Sequence, residues 1–462
     1  MTMQYRVTPG GAIRGEINVP GDKSVSHRAL MLGGIAEGDT RIKGFLDSAD
    51  CLATLAALQN LGVSIERPGP GKVLVHGVGM HGLRAPARPL DMGNAGTAMR
   101  LFMGLLSSQK FNSTLVGDAS LSRRPMERVA VPLRLMGAQI KTRNDCPPVE
   151  IEGGANLRAI KYDLPVASAQ VKSAILLAGL CADGRTKVLE PAVTRDHTER
   201  MLSAFGVEVL RSRKALAIGG GQILHGTSID VPGDFSSAAF FMILGCLASQ
   251  EGIVLRGVGI NPTRTGLLEL LRKMGADVRI RKHVDTGATG TRKMATAFGG
   301  SIGETTRTMP ALEPTADIEV RASKLKGIKV PENLVPLAID ELPIFFIAAA
   351  CAEGETLVRG AHELRVKESD RLAVMAEGLT RLGVKNELLP DGIWIEGGKG
   401  FKGGRVDSHG DHRAAMAFAV AASRAEEAIE IDDVANVATS FPTFVEAARA
   451  VGLGVELAGA ES

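Results

Sequence analysis

Six stretches of the chain share one hydrophobic pattern. Apolar residues recur at every third or fourth position, as at Leu372, Met375 and Leu379, and then give way to a short run of alternating apolar and polar residues. The first spacing predicts an amphipathic helix and the second a β-strand. A glycine separates the two in every copy, which indicates the C-terminus of the helix. These glycines are Gly62, Gly137, Gly206, Gly275, Gly383 and Gly452.

A second helix of different character lies upstream of each glycine. It is rich in Ala, Leu, Met and Gly on every face, and a helix that is apolar all round is buried. Polar residues occur mainly in its first turn. The six predicted buried helices lie within 24–38, 96–108, 168–184, 234–252, 340–356 and 411–424.

The glycines are separated by 75, 69, 69, 108 and 69 residues, so a unit of helices and strands recurs six times. Such alternation predicts an α/β fold, and six units divide naturally into two domains of three, with a seam near 231–237. The long step exceeds the common one by 39 residues. The excess falls in the polar, Gly/Thr-rich stretch 281–309, part of a wider polar region 281–320, which we interpret as an exposed insertion or long loop.

Composition narrows the classes of protein to consider. Of 462 residues, 54 are Lys or Arg and 51 are Asp or Glu, which gives a net charge of +3, while 45% of residues are apolar. This composition is typical of a globular protein with about two or three domains. The charge is too small for a protein that works by clamping nucleic-acid backbones, so we expect no nucleic-acid partner.

The chain shows no sign of a membrane or secretory protein. Its longest apolar stretch, 238–249, spans about a dozen residues, whereas a membrane helix needs roughly 18 or more. The amino terminus has no apolar secretory core and no Arg/Ser-rich leader, so we expect a cytoplasmic protein. The cysteines are far apart and mostly in apolar runs, which favours reduced core residues over disulfides or zinc ligands. They are Cys51, Cys146, Cys181, Cys246 and Cys351.

Candidate chemistry concentrates where the buried helices begin. A helix N-terminus exposes unpaired N–H groups and about half a positive charge, so several such ends together would bind anions. Small polar residues at these positions are also ordinary helix caps, and taken singly each favours capping. Cations beside the caps change this interpretation, because arginine suits carboxylate and phosphate groups. They are Lys23, Arg28, Arg124, Lys367, Arg371 and Arg413.

Spacing links several of these residues. Ser24 and Arg28 are four apart on one predicted helical face, and so are Lys367 and Arg371, with Glu368 three residues before Arg371. We therefore expect a site for a ligand that carries both carboxylate and phosphate.

A metal site is the weaker interpretation of another cluster. His409, Asp411 and His412 could bind a metal, but capping is favoured because no further ligands with zinc spacing follow. We predict neither a metal nor a cofactor.

Several strings, in order from residue 20 to 416, together resemble the 5-enolpyruvylshikimate-3-phosphate synthase family, in particular its second class. They are PGDKSVSHRAL, GNAGTAMRL, RPMERV, SAQVKS, RDHTERML, NPTR, DELP, RVKESDR and GDHRAAM. The resemblance implies a two-domain inverse α/β barrel of the enolpyruvyl transferase type, with three copies of one folding unit per domain. It implies one domain of 1–20 plus 236–462, with the N-terminal strand crossing over, and a second of 21–235. The active site would lie in the cleft between them.

The family transfers the carboxyvinyl group of phosphoenolpyruvate to the 5-hydroxyl of shikimate 3-phosphate, releases phosphate, and thereby serves aromatic amino-acid biosynthesis. The resemblance implies that Asp340, Glu368 and Lys23 are catalytic. The residues implied for shikimate 3-phosphate are Lys23, Ser24, Arg28, Ser168, Ala169, Gln170, Arg195, Asp340 and Lys367. Those implied for phosphoenolpyruvate are Lys23, Gly96, Arg124, Gln170, Arg371 and Arg413. A monomer acting on small molecules is expected.

Two departures and two alternatives remain open. Some family members carry a Lys near the carboxy terminus where this chain has Thr439 and Ser440, and glyphosate-tolerant members of the second class often have Ala in place of Gly96. The related UDP-N-acetylglucosamine enolpyruvyl transferase usually has a reactive Cys in the loop before the arginine corresponding to Arg124, and the stretch here is GDASLSRRP. A non-enzymatic polyanion clamp is disfavoured because aromatic residues make up only 4% of the chain.

Overall fold

The computed structural model describes residues 3–212, 214–282, 307–309 and 313–459. These residues form two compact units, and the chain passes between the units more than once. The terminal unit takes its described residues from Met1–Pro20, Pro232–Val284 and Pro314–Ser462. The central unit takes its described residues from Gly21–Val231 and Asp285–Glu313.

Helices are interspersed with single strands and runs of two or three strands along the described chain. The α-helices are α1 (Lys23–Gly34), α2 (Ala49–Asn60), α3 (Gly96–Leu106), α4 (Glu127–Leu135), α5 (Ala169–Gly179), α6 (His197–Ala204), α7 (Phe235–Ala248), α8 (Gly266–Lys273), α9 (Val335–Ala338), α10 (Leu342–Cys351), α11 (Arg371–Arg381), α12 (His412–Ala421) and α13 (Phe444–Ala450). The strands are β1 (Gln4–Thr8), β2 (Gly15–Asn18), β3 (Glu37–Lys43), β4 (Ser64–Gly69), β5 (Lys72–Val78), β6 (Leu90–Asp91), β7 (Ser113–Val116), β8 (Gln139–Arg143), β9 (Cys146–Glu152), β10 (Lys161–Asp163), β11 (Arg185–Leu189), β12 (Val209–Arg211), β13 (Ala215–Gly219), β14 (Ser228–Asp230), β15 (Ile253–Gly259), β16 (Asp277–Lys282), β17 (Arg307–Thr308), β18 (Thr315–Arg321), β19 (Glu355–Val358), β20 (Asn386–Leu389), β21 (Gly392–Glu396), β22 (Gly404–Asp407), β23 (Ile429–Asp432) and β24 (Gly454–Ala458).

The sheets repeat one topology six times. In five of them a parallel pair of strands is followed by antiparallel neighbours, and in the sheet of β19 an isolated parallel bridge between Lys329 and Leu357 takes the place of the parallel strand. The orders are β14-β3-β5-β4, β6-β7-β9-β8 and β10-β11-β13-β12-β17 in the central unit, and β2-β15-β18-β16, β19-β21-β20 and β22-β23-β1-β24 in the terminal unit. This confirms the predicted α/β fold with six copies of one folding unit, three in each unit.

Buried helices form the core of each unit, as the all-round apolar pattern predicted. They are α1, α3 and α5 in the central unit and α7, α10 and α12 in the terminal unit. Glycine lets two of them approach closely, because a Cβ on Gly104 of α3 would lie 2.2 Å from the carbonyl oxygen of Ala174 on α5. In the terminal unit, Phe240, Phe241, Phe441 and Phe444 pack as an aromatic cluster.

The N-terminal strands and the last described part of the predicted loop belong to sheets of different units. Strand β1 lies antiparallel between β23 and β24, and β2 pairs in parallel with β15, so these two N-terminal strands complete sheets of the terminal unit. The predicted loop 281–309 lies mostly outside the described residues. Its last described part forms β17, which pairs with β12 of the central unit, a placement that the predicted boundary at 236 did not anticipate.

The predicted helix ends are confirmed. All six glycines adopt a left-handed backbone, with φ between 84° and 104°, which costs glycine less than any other residue. The side chains of Asp22, Ser168 and Asp411 accept hydrogen bonds at the starts of α1, α5 and α12. The capping interpretation of Asp411 is thereby confirmed. Among the residues that the structure describes, no helix has the length and hydropathy needed to cross a membrane.

Candidate active site

The start of α1 carries the first candidate cation. Lys23 is the first residue of the helix, directly after its cap Asp22, and its Nζ lies 2.6 Å from Asp50 Oδ2. The Lys23 side chain is 23% exposed and that of Asp50 only 6%. The buried carboxylate therefore holds the ammonium group at the helix N-terminus, where it still reaches solvent. Ser24 follows in the first turn and is partly exposed.

Arg28 joins three elements of the central unit. Its Nε donates to Thr198 Oγ1 at 2.6 Å, its Nη1 to the carbonyl oxygen of Ser24 at 2.9 Å, and its Nη2 to Ser173 Oγ at 3.2 Å. Burial lowers the pKa of Arg28 to about 10, and the positive charge of Arg195 acts in the same direction. The guanidinium is still protonated at neutral pH, and Arg195 lies near enough to influence it.

A buried ion cluster supports the loop that carries Arg195. Lys172 Nζ lies 2.9 Å from Glu190 Oε1 and 2.7 Å from Glu199 Oε1, and all three side chains are fully buried. Glu190 also accepts from the backbone N–H of Thr194 at 3.1 Å, immediately before Arg195. Burial raises the pKa of Glu199, and the nearby Lys172 opposes that rise. Charges so deeply buried need partners, and here the pairing anchors the loop.

The start of α3 has guanidinium groups where a capping side chain was expected. Its N-cap residue, Ala95, offers no side-chain hydrogen bond. Arg124 instead binds Asn94, with Nη2 2.6 Å from Asn94 Oδ1 and Nη1 3.2 Å from Asn94 O. A Cβ on Gly96 would lie 3.1 Å from Arg124 Nη1 and 3.4 Å from Arg100 Nη1. Glycine at this position thus leaves room for the two cations at an N-terminus without a side-chain cap.

The start of α5 brings Gln170 to the same place. Ser168 caps the helix by accepting from the N–H of Val171, and Ala169 O accepts from Ser173 Oγ at 2.7 Å. Gln170 Oε1 accepts from Arg100 Nη1 at 2.6 Å. Through Ser173 and Gln170, α5 contacts residues of both α1 and α3. The structure therefore brings together the candidate residues at the starts of all three buried helices of the central unit.

Asp340 is surrounded by cations in the terminal unit. Its Oδ1 lies 3.6 Å from Lys367 Nζ and 3.5 Å from Arg371 Nη1, and its Oδ2 lies 4.0 Å from Arg413 Nη2. Arg413 Nη1 also donates to the Asp340 carbonyl oxygen at 3.0 Å. Three cations from three separate segments thus converge on one largely buried carboxylate.

Arg371 is the most buried of these cations, with a side chain 1% exposed. Its Nε donates to Asp411 Oδ2 at 2.7 Å and its Nη2 to Glu368 Oε2 at 2.5 Å. Burial alone would lower the pKa of Arg371, but the carboxylates of Asp411, Glu368 and Asp340 outweigh it and raise the pKa above the ordinary arginine value. Arg371 is therefore a permanent cation with a fixed orientation.

One local expectation was wrong. The spacing of Lys367 and Arg371 suggested one helical face, but α11 begins only at Arg371, and Lys367 lies outside it. Asp370 caps the helix by accepting from the N–H of Ala373, which fixes the start of the helix after the KESD segment. The two cations still meet, because both contact Asp340.

Sequence reasoning missed the contacts that hold the candidates in place, including the pairing of Asp411 with Arg371. Asp50, Asn94, Arg100 and Asp411 each contact a candidate cation or Gln170. Asn94, Arg100 and Asp411 belong to the motifs quoted above, so membership of a motif was the available signal. Asp50 had none, because only the fold brings α2 beside Lys23. Thr439 Oγ1 donates to Asn436 O at 2.7 Å.

The repeated fold and these clusters place the chain among α/β proteins of the enolpyruvyl transferase class. The chain belongs to the EPSP synthase (3-phosphoshikimate 1-carboxyvinyltransferase) family, whose model matches residues 7–447. This confirms the family that the motifs indicated.

Individual relatives match over almost the full length. The 3-phosphoshikimate 1-carboxyvinyltransferase of Alkalilimnicola ehrlichii is 56% identical, with 99% of this chain and 98% of that protein covered. The protein of the same name from Methylococcus capsulatus is 55% identical, with 98% of each covered. The solved structure of EPSP synthase from Acinetobacter baumannii has a TM-score of 0.84 at 52% identity, with 99% of this chain and 100% of that chain covered. The enolpyruvyl transferase NikO from Streptomyces tendae, with a TM-score of 0.77 at 16% identity and full coverage of both chains, shares the fold.

Proposed function

We propose that this protein transfers the carboxyvinyl group of phosphoenolpyruvate to the 5-hydroxyl of shikimate 3-phosphate, which forms 5-enolpyruvylshikimate 3-phosphate and releases phosphate. Membership of the EPSP synthase family supports the reaction. The convergence of Lys367, Arg371 and Arg413 on Asp340 carries the proposal, because it offers a proton acceptor inside a site for anions.

Shikimate 3-phosphate would bind mainly at the starts of α1 and α5. Lys23, Ser24 and Arg28 supply cations and a hydroxyl at one helix N-terminus. Ser168, Ala169, Gln170 and Arg195 would add donors from α5 and the neighbouring loop. A phosphate group gains from a helix N-terminus and from fixed cations, so this part of the central unit suits the 3-phosphate.

The cations that we assign to phosphoenolpyruvate come from both units. In the central unit Arg124 lies beside the start of α3, where Gly96 allows close approach of the ligand, and Gln170 contacts Arg100 of the same helix. Lys23 would join them from the start of α1. In the terminal unit Arg371 and Arg413 would complete the set. We propose that both units contribute residues to the binding of one substrate pair. Closure around the substrates would exclude water that competes with the acceptor hydroxyl.

The chemistry follows from an acceptor and a donor of protons. Asp340 takes the proton of the 5-hydroxyl while the hydroxyl oxygen forms a bond to C2 of phosphoenolpyruvate. At the same time C3 of phosphoenolpyruvate gains a proton, and Glu368 and Lys23 are the partners in that transfer. The tetrahedral adduct then loses a proton from C3 and expels inorganic phosphate from C2, which restores the double bond. Fixed arginines stabilise charge throughout.

One assay tests the reaction. The protein is incubated in buffer with phosphoenolpyruvate and shikimate 3-phosphate, and phosphorus NMR follows both substrates. We expect one equivalent of inorganic phosphate per shikimate 3-phosphate consumed. UDP-N-acetylglucosamine in place of shikimate 3-phosphate should release none. Phosphate release with UDP-N-acetylglucosamine, or none with shikimate 3-phosphate, would refute the proposal.

A further inference from the structure

Arg100 occupies a central position among the candidate residues of the central unit but was assigned no role by the motifs. Its side chain lies on α3 and the residue is only 5% exposed. Nη1 donates to Gln170 Oε1 at 2.6 Å, and Nη2 donates to the carbonyl oxygen of Pro125 at 3.3 Å. Arg100 therefore ties α3 both to the start of α5 and to the residue that follows Arg124.

The contact with Arg100 fixes which way the amide of Gln170 points. A guanidinium group has only donors, so the atom of Gln170 that faces it must be the oxygen. The amide nitrogen then donates to Thr97 Oγ1 at 2.8 Å. Gln170 is partly exposed, and its side-chain hydrogen bonds to described residues are these two. The second N–H of the amide makes no hydrogen bond to a residue that the structure describes.

We propose that Arg100 is a positioning residue that locks the Gln170 amide so that it presents an N–H donor to an anionic substrate. This inference rests on the proposed function. An amide turned by 180° would present its oxygen, which repels a carboxylate or phosphate. Arg100 opposes that orientation, because the amide nitrogen would then face the guanidinium group, whereas the Thr97 hydroxyl can donate or accept and allows either orientation.

A double-mutant cycle on the KM for phosphoenolpyruvate tests the inference. Arg100→Met should raise KM about 10-fold in the chain with Gln170, because a hydrogen bond to a charged group is lost. In the Gln170→Ala background the same substitution should change KM by less than about 3-fold, because the locked amide no longer exists. An equal effect in both backgrounds would show that Arg100 acts independently of Gln170 and would overturn the proposal. Arg67→Met, at an exposed ion pair with Asp47, is the matched control and should leave KM unchanged.

A second variant covers the case in which Arg100→Met does not fold. Gln170→Glu keeps the shape of the side chain and can still accept from Arg100, but it has no N–H to present. We expect its KM for phosphoenolpyruvate to rise at least as much as that of Gln170→Ala. A Gln170→Glu protein with the KM of the unsubstituted chain would overturn the proposal.

A spectroscopic measurement separates this inference from the proposed reaction. With glutamine labelled by nitrogen-15, the side-chain signals of Gln170 are identified by their loss in Gln170→Ala. They should show a rigid, slowly exchanging amide in the unsubstituted protein and a mobile amide in Arg100→Met. An amide equally rigid in both proteins would refute the positioning role, even when the unsubstituted protein releases phosphate normally. If it releases none, the proposed function fails instead.

Discussion

At the scale of single residues, each unit contains a candidate cation that is held by a carboxylate. The carboxylate itself is buried or caps a helix. Asp50 holds Lys23, and Asp411 caps α12 while it binds Arg371. Asp340 differs from both, because three cations contact it. This difference supports its proposed role as the proton acceptor.

Replacing the Asp340 carboxylate should stop the chemistry without unfolding the chain. Asp340→Asn keeps the shape of the side chain but loses the proton acceptor, so we expect kcat to fall about 10²- to 10⁴-fold. Arg371 would keep Glu368 and Asp411 as partners, so the midpoint of thermal unfolding should change little. The exposed Asp277, changed to Asn, serves as control. A kcat equal to that of the control variant would remove Asp340 from its role.

His27 should make the stability of the protein depend on pH. Burial lowers its pKa from 6.5 to about 3, and the charges of Lys23 and Arg28 act in the same direction. Between these two pH values the unfolded chain binds a proton that the folded chain does not, so the free energy of unfolding should fall as pH decreases from 6.5 towards 3. His27→Gln should remove this contribution, which amounts to at most about 1.4 kcal/mol per pH unit.

The measurement is urea unfolding of both proteins at several pH values. The difference in the free energy of unfolding between the unsubstituted chain and His27→Gln should shrink or reverse as the pH falls. His76 is a control of opposite sign, because Asp39 and Glu66 raise its pKa and any stability it gives is lost as pH rises. Parallel curves for the unsubstituted chain and His27→Gln would contradict the assignment.

At the scale of elements, the hydrophobic pattern predicted much of the fold. The six glycines at helix C-termini and the helices that are apolar on every face could be predicted, because each feature depends on local sequence. The start of α11 could not be predicted from the i,i+4 spacing of Lys367 and Arg371, because Asp370 caps the helix and makes it begin at Arg371. The pairing of β17 with β12 could not be predicted either, since a two-residue strand has no periodicity. Within the site, motif residues were predictable, but Asp50 needed the packing of α2 on α1.

A glycine at a helix end offers a test at this scale. Gly275 has φ +87° and its Cβ position is 3.8 Å from the nearest atom, Lys324 O, so alanine would meet no clash but would keep an unfavourable backbone. Gly275→Ala should lower the free energy of unfolding by about 1–2 kcal/mol in urea titration. Gly69→Ala, at a position with ordinary φ and open space, should change it by less than about 0.5 kcal/mol. Equal losses in the two variants would contradict the helix-end interpretation.

At the scale of the whole molecule, the two units repeat one fold but differ in the chemistry at their helix starts. The central unit offers cations and amide donors at α1, α3 and α5. The terminal unit adds the carboxylates Asp340 and Glu368 among its cations. The residues assigned to each of the two substrates are divided between the two units. The account therefore requires one substrate to contact both units.

Two lysines allow a direct test of that requirement. Lys23 of the central unit and Lys367 of the terminal unit are similarly exposed, at 23% and 27%, and each pairs with a carboxylate. Both are assigned to shikimate 3-phosphate, which does not react when phosphoenolpyruvate is absent. Titration calorimetry with shikimate 3-phosphate alone should show Kd about 10-fold higher or more for Lys23→Met and for Lys367→Met. It should show an unchanged Kd for the exposed control Lys385→Met. If either Lys23→Met or Lys367→Met bound shikimate 3-phosphate as tightly as the unsubstituted chain, the substrate would not be shared between the units and the account would be wrong.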